Sequence, residues 1–284
     1  MKSGNPGNTF LRRIIKIVLI PIKGGGIYSA LQALAVGLDI KLRRLFEPEV
    51  DLLALALRPG ETALDLGANF GLYAYHLSRA VGRHGKVVCF EPIPYTFLTL
   101  SKVVRLLGLK NVVLKPYGVA DRPGVMHFSV PLQSNGHIMA GQAFIGGRND
   151  DQGDRSQQVR WNRTKQVECL VTTVDSECLD AVDVSFLKVD IEGAEIFALR
   201  GARRTIENFR PTVLIEINPW FLDGFGVKID DLINPFIELG YRLYIYDEGQ
   251  GNLKLIGNFD QIVERNYLLI HSKFIDRFAA KVFP

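Results

Sequence analysis

From Thr62 onward the chain alternates short apolar runs with amphipathic stretches, and glycines punctuate many of the changes. Thr62–Leu66, Lys86–Phe90 and Val112–Lys115 are short and largely apolar, as parallel strands covered on both faces should be. Between them, residues 72–80 and 95–107 carry apolar positions three and four apart and predict helices, the second ended by Gly108. Residues 125–130 alternate in polarity and predict an extra strand at the sheet edge. The α/β alternation resumes with strands at Val184–Val189, Thr212–Ile217, 241–246 and 267–271, and helices at 194–207 and 232–239. A turn is expected at Gly249, Gln250, Gly251 and Asn252. Ahead of this block, residues 28–45 predict a helix with a stripe of Leu31, Leu34, Leu38, Leu42 and Leu45, and residues 50–57 predict another, closed by Pro59 and Gly60. Residues 131–165 break the rhythm: they are rich in Gly, Asn, Gln, Asp and Arg and show almost no periodicity. The expected fold is a Rossmann-like α/β domain with an open, doubly wound, mostly parallel sheet. Its ligand should sit beyond the carboxyl ends of the strands. We divide the chain into an N-terminal helical extension, 1–46, and one α/β domain, 47–284, with 131–165 as a lid or substrate loop.

Composition narrows this little: 47% of the 284 residues are hydrophobic and 23% charged, ordinary for a globular chain. The net charge is +4, and much of the excess lies in Lys2, Arg12, Arg13, Lys16, Lys23, Lys41, Arg43 and Arg44. No dense basic stripe with interleaved aromatics points to nucleic acid. Residues 10–22 are apolar but interrupted by Arg12, Arg13 and Lys16, and fall short of the roughly 20 apolar residues a bilayer span needs. They predict a packed helix; the alternatives are a peripheral membrane contact by this N-terminal helix and an export signal, for which Gly24-Gly25-Gly26-Ile27-Tyr28 makes a poor cleavage site. Cys89, Cys169 and Cys178 are odd in number and widely spaced, which gives no disulfide framework and no metal pair. A cytoplasmic protein fits best.

Two stretches carry chemistry. Leu64-Asp65-Leu66-Gly67-Ala68-Asn69-Phe70-Gly71 follows the first strand and opens a helix. Gly67 and Gly71 let a ligand approach the main chain. A dinucleotide fingerprint wants glycines spaced G-x-G-x-x-G, with a pyrophosphate at the turn. Here the spacing is G-x-x-x-G, and Asp65 would repel a pyrophosphate but attract the ammonium of a methionine moiety. Electrostatics therefore favour S-adenosylmethionine over NAD. Glu91, ending the second strand about 20 residues past the glycines, suits a ribose diol in either cofactor. The bland alternatives are that Asp65 caps the following helix and that Glu91 is a solvated strand end.

The second stretch, Phe186-Leu187-Lys188-Val189-Asp190-Ile191-Glu192-Gly193-Ala194-Glu195, ends another apolar strand with a cluster of carboxylates. In a doubly wound sheet this strand neighbours the first, so both sites face one crevice. Asp190 or Glu192 can orient or deprotonate an acceptor hydroxyl. The competing reading has Glu192 and Glu195 favouring a helix N-terminus and Lys188 solvated.

At these residues the chain resembles the FkbM family of methyltransferases. The likeness runs over about residues 47–247 and is carried by 64–73, by Phe90-Glu91-Pro92-Ile93-Pro94, by 187–195 and by Leu214-Ile215-Glu216-Ile217. It implies a class I methyltransferase fold with an antiparallel last strand. It also implies S-adenosylmethionine as donor, usually for O-methylation of a hydroxyl on a sugar, polyketide or related small metabolite. By that analogy Asp65, Gly67, Asn69, Gly71 and Glu91 bind the cofactor. Gly118-Val119-Ala120-Asp121 matches the adenine-side turn less sharply, which makes Asp121 a further candidate contact.

Methyl transfer needs alignment more than activation, and orientation is worth roughly 7–11 kcal/mol. Asp190 is the first candidate for the base, Glu192 the second, and His137 in the polar loop an outside one. Asp190, Glu192 and Glu216 can converge on the crevice, but no His or Cys spacing supports a metal, and none is expected. The expected partner is a small hydroxyl-bearing acceptor, with no nucleic acid; oligomeric state is left open. An NAD(P)-dependent oxidoreductase and a catalytically silent methyltransferase-like binding domain remain alternatives. Base methylation ranks lower, because Asn218-Pro219-Trp220 follows the fifth strand of the alternation and not the fourth.

Overall fold

The computed structural model describes residues 25–131, 144–145, 164–178, 183–191 and 193–282. Its frame is an eight-stranded sheet of β1 Thr62–Leu66, β2 Lys86–Phe90, β3 Val112–Lys115, β8 Val184–Val189, β9 Thr212–Ile217, β10 Tyr241–Asp247, β11 Asn252–Leu255 and β12 Arg265–His271. The spatial order is β11-β10-β12-β9-β8-β1-β2-β3. Strands β3, β2, β1, β8 and β9 are mutually parallel, whereas β12 is antiparallel to both β9 and β10. This is the class I methyltransferase arrangement, with the last strand inserted antiparallel and β11 added as a hairpin beyond it.

Side chains alternate between two faces along each strand, except at the start of β8, where a register shift turns Val184 to the same layer as Leu187. Ala63, Val87, Phe186, Leu214 and Leu268 face a layer formed by the helices α1 Gly25–Lys41, α2 Leu53–Ala56, α3 Leu72–Val81 and α4 Pro94–Leu106, and by the 3-10 turn Ser272–Phe278. Leu64, Leu66, Val184, Leu187, Val213 and Ile215 face the opposite layer. That layer holds α6 Glu195–Gly201, α7 Arg203–Phe209, α8 Pro219–Gly224 and α9 Ile229–Glu238; the short α5 Val174–Glu177 supports it. Every residue of β8 is buried, as a central strand covered on both faces requires.

A second sheet, in the order β4-β7-β5-β6, contains β4 Gly118–Val119, β5 Gly124–Pro131, β6 Phe144–Ile145 and β7 Thr164–Thr172. The strand expected at 125–130 is therefore not an edge of the main sheet. It is paired on both sides, to β7 and to β6. Part of the aperiodic 131–165 stretch is β structure: it contributes β6 and the first residues of β7. The small sheet packs through Phe128, Val130, Cys169 and Val171 against Ile93 and Ala194, in the segments that follow β2 and β8.

Three helices differ from the simplest reading of the sequence pattern. Within the leucine stripe, Leu34, Leu38 and, just past the helix end, Leu42 are 44%, 38% and 56% exposed, whereas Leu45 packs against the core. Ala33, Val36 and Ile40 are buried. Gly37 lets α1 approach α4 closely, since a Cβ there would lie 3.2 Å from a Leu106 methyl. The helix expected at 194–207 is two helices broken at Ala202. The second has its own N-terminal partner in Asp175, which accepts from the Arg204 and Thr205 N–H groups at 2.9 Å each. Likewise the helix expected at 50–57 is a 3-10 turn, Pro48–Leu52, followed by the short α2.

Candidate active site

The site is two polar rows across the carboxyl ends of the strands. Cys89, Asp65, Lys188 and Leu214 lie side by side on β2, β1, β8 and β9. Two residues further along, on the same face, come Glu91 after β2, Asp190 after β8, and Glu216 opposite Asn266 on β9 and β12. Alternation alone thus gathers residues far apart in sequence onto one crevice.

The two crevice-forming turns are locked together. Gly67 and Ala68 donate their N–H groups to the Phe90 carbonyl at 3.0 and 2.9 Å, and the Asp190 N–H donates to Leu66 at 3.1 Å. Gly67 has φ +83°, and a Cβ there would lie 1.9 Å from the Asp190 carbonyl oxygen. Only glycine fits so close an approach. At Gly71, φ +93° precedes α3, and a Cβ would lie 2.8 Å from a Leu100 methyl. Between them Asn69 takes φ +48°. Its N–H donates to Glu91 Oε2 at 3.0 Å, while the Ile93 N–H donates to Oε1 at 2.9 Å. Glu91 is thus no solvated strand end. It is buried and braces the turn of the first motif, each oxygen keeping a lone pair for a further donor.

Asp65 does not cap α3, whose first residues have no side-chain cap. It is fully buried, and its Oδ1 has no hydrogen-bond partner among the described residues. Oδ2 has only the Cys89 thiol, at 3.9 Å. Burial pushes the Asp65 carboxyl up to about 6 against the attraction of Lys188, and pushes Glu91 up to about 8 despite its two backbone N–H donors. Both are therefore carboxylates that a cationic or hydroxyl-bearing ligand would relieve.

Lys188 is not solvated. It is 3% exposed, donates to Asp190 Oδ2 at 2.8 Å, and lies 4.5 Å from the Tyr73 ring centroid. Burial opposes its charge, but Asp190, Asp65 and Glu47 outweigh burial, so the ammonium is held above its ordinary pKa. Burial likewise raises Asp190, yet Lys188 and a hydrogen bond with Glu216 leave it below the usual carboxylate range. The Asp190 side chain is 30% exposed, which opens it to the crevice.

Glu47 enters the same site from the segment between α1 and the Pro48–Leu52 turn, and no sequence motif marks it. Its Oε2 accepts from the Tyr73 hydroxyl at 2.7 Å and from Asn266 Nδ2 at 3.4 Å. Burial raises its pKa, with Lys188 acting in the other direction. Glu195 is the first residue of α6; it is buried and accepts from the Gly193 and Ile191 N–H groups at 3.0 and 3.4 Å, bracing the loop ahead of that helix. Asp121 follows a residue, Ala120, that packs in one cluster with Ile93 and Ala194. Asp121 is exposed, and the Ala120 carbonyl packs on Gly201 at the far end of α6 from Glu195. Glu192 and His137 lie outside the described residues, as does the expected helix at 10–22. Among the described residues no group of three or more His, Cys, Asp or Glu is arranged to hold a metal ion.

The Methyltransferase FkbM domain matches residues 65–243, from the first crevice carboxylate into β10. The chain belongs to the FkbM methyltransferase family. Among curated proteins this FkbM chain is similar to Methyltransferase 1 of Beauveria bassiana (strain ARSEF 2860), at 26% identity over 143 residues. The match covers 49% of this chain and 57% of that protein. Among solved structures it is similar to the FkbM methyltransferase of Methylobacillus flagellatus KT, at 17% identity and a TM-score of 0.42. That match covers 85% of this chain and 54% of the other. It is also similar to a putative methyltransferase from Streptococcus mutans in complex with SAH, at 13% identity and a TM-score of 0.40, covering 79% and 96%. The chain thus spans little more than half the length of its first two relatives. The fold assignment rests on the strand order above and not on these distant likenesses.

Proposed function

We propose that this FkbM chain is an S-adenosylmethionine-dependent methyltransferase acting on a hydroxyl of a small metabolite such as a sugar or polyketide. The observation that carries the reading is Asp65: a fully buried carboxylate with an unpartnered oxygen, at the end of β1 beside a tight glycine turn. Its nearest cation, Lys188, is already bonded to Asp190. A ligand bringing positive charge suits this position, and one bringing a pyrophosphate does not. The cofactor, when bound, supplies a methyl group already activated by the sulfonium charge. In this reading Asp65 and the turn Gly67-Ala68-Asn69-Phe70-Gly71 face its amino-acid end, and Glu91 accepts from its ribose hydroxyls.

Asp190 is the residue for the acceptor. It is open to the crevice, fixed by Lys188, and hydrogen-bonded with Glu216. Held ionised, it accepts a hydrogen bond from the acceptor hydroxyl, aligns that oxygen, and takes up the proton as the new bond forms. Glu47 and Tyr73 hold Lys188 from the other side. The extension 1–46 and the segment 131–165 are the regions we assign to acceptor choice. Three free cysteines support a reducing, cytoplasmic setting. Isothermal calorimetry with S-adenosylmethionine tests the reading. Micromolar binding by the wild type, weakened in both Asp65→Ala and Glu91→Ala, is expected. A folded wild type that does not bind would remove the donor assignment.

A further inference from the structure

The outward leucine row of α1 has no use in the site. Leu34, Leu38 and Leu42 are spaced four apart, which on a helix makes one stripe, and all three are exposed. Leu106 of α4, 50% exposed, reaches α1 at Gly37, between Leu34 and Leu38 in sequence, and extends the same apolar surface. The stripe ends among exposed bases, Lys41 and Arg44. Residues 1–46 hold eight Lys and Arg against one acid, Asp39, and Asp39 is buried. The other 238 residues carry three more acids than bases, so the whole positive excess of the protein belongs to this end.

We propose that α1 docks the protein on the surface of an anionic phospholipid bilayer, lying in the interface with Leu34, Leu38 and Leu42 inward. Exposed leucines flanked by bases are what such a surface recognises, because acyl chains take the apolar stripe and phosphates take the bases. No helix of the described residues is long and apolar enough to cross a membrane, so the contact is peripheral. A second copy of the chain is the poorer occupant. A two-fold contact through α1 would bring the same bases face to face.

The test is flotation of the full chain with phosphatidylcholine vesicles, with and without phosphatidylglycerol. The wild type is expected to float only with the anionic vesicles and to be released by salt. Leu34→Ser/Leu38→Ser/Leu42→Ser and Lys41→Glu/Arg44→Glu are each expected to lower partitioning about tenfold or more. Both should melt with the wild type, since the changed side chains are exposed. Three results would overturn the proposal: no flotation of the wild type with anionic vesicles, wild-type flotation by the leucine variant, or a dimer in light scattering that the leucine variant abolishes. None of these readouts depends on methyl transfer.

Discussion

Replacing Lys188 by Met should expose the central electrostatic fact of this site. The methionine fills the space of the lysine stem but removes the ammonium, leaving Asp65, Asp190 and Glu47 without a buried cation. The Lys188–Asp190 contact of 2.8 Å corresponds to a gross attraction of about 6 kcal/mol at an effective dielectric of 20. Desolvation of both ions offsets much of this in the intact pair. Removal of one partner, however, strands the other, and such losses run to about 3–5 kcal/mol. The sign of the pH dependence follows. Without Lys188 the folded-state pKa of Asp190 rises from below the usual range to above it, and Asp65 climbs beyond its present value of about 6. A carboxyl whose folded pKa is raised contributes stability at pH below its unfolded pKa and loses it as pH rises through the folded one. The deficit of the variant should therefore be largest at pH 8 and shrink toward pH 5. Urea unfolding followed by circular dichroism at the two pH values measures it. A loss under about 1 kcal/mol at pH 8, or a deficit that grows on acidification, would refute the claim that Lys188 neutralises this cluster.

Asp190→Asn should lower turnover by about a hundredfold or more while leaving S-adenosylmethionine affinity near the wild-type value, as single-turnover rates and calorimetry would register. Cofactor affinity should itself depend on pH. Glu91 and Asp65 sit at about 8 and 6 in the free protein, and binding favours their charged forms, so affinity should be full above pH 8 and decline as pH falls through 8 and again through 6. A pH-independent Kd between 5.5 and 8.5, at constant buffer ionisation heat, would contradict this (window set by the two values). Gly67→Ala and Gly60→Ala share a left-handed backbone, φ +83° and +95°, but only the first meets an obstacle within 4 Å. Gly60→Ala should cost about 1–2 kcal/mol and Gly67→Ala clearly more, in thermal melts of the two side by side.

Much of the fold was legible because buried parallel strands leave unbroken apolar runs. Thr62–Leu66, Lys86–Phe90, Val184–Val189 and Thr212–Ile217 have the limits their apolar runs predict, and so does Val112–Lys115, although that edge strand has no buried residue. Asp65, Glu91 and Asp190 were legible for the same reason, as polar residues at the ends of such runs. What the pattern hid depends on contacts between distant segments. Glu47 meets Tyr73 and Asn266 across 26 and 219 residues, and no local spacing encodes that. The leucine spacing of α1 marks a helix but not its buried face, which Ala33, Val36 and Ile40 form against the core. Lys188 did leave a signal. It stands inside a run of buried residues, in alternation with Phe186 and Asp190, so solvation was the wrong default for it.

The same alternation explains why one lysine suffices. Asp65 and Lys188 are cross-strand partners, and Asp190 follows Lys188 by two residues on the same face. The ammonium is therefore spaced to bond Asp190 directly and to act on Asp65 only through space, which is the order of influence found at Lys188. Asp190 is thereby kept ionised where the crevice opens, while Asp65 is left with a buried, unpartnered oxygen one strand away. Glu47, held by Tyr73 and Asn266, adds its attraction for the ammonium to those of Asp190 and Asp65. Had Lys188, the buried cation among the described residues, bonded Asp65 instead, no buried carboxylate oxygen there would call for a cationic ligand. The arrangement observed satisfies Asp190 and leaves that demand at Asp65, which suits the ammonium of an amino-acid moiety and not a pyrophosphate.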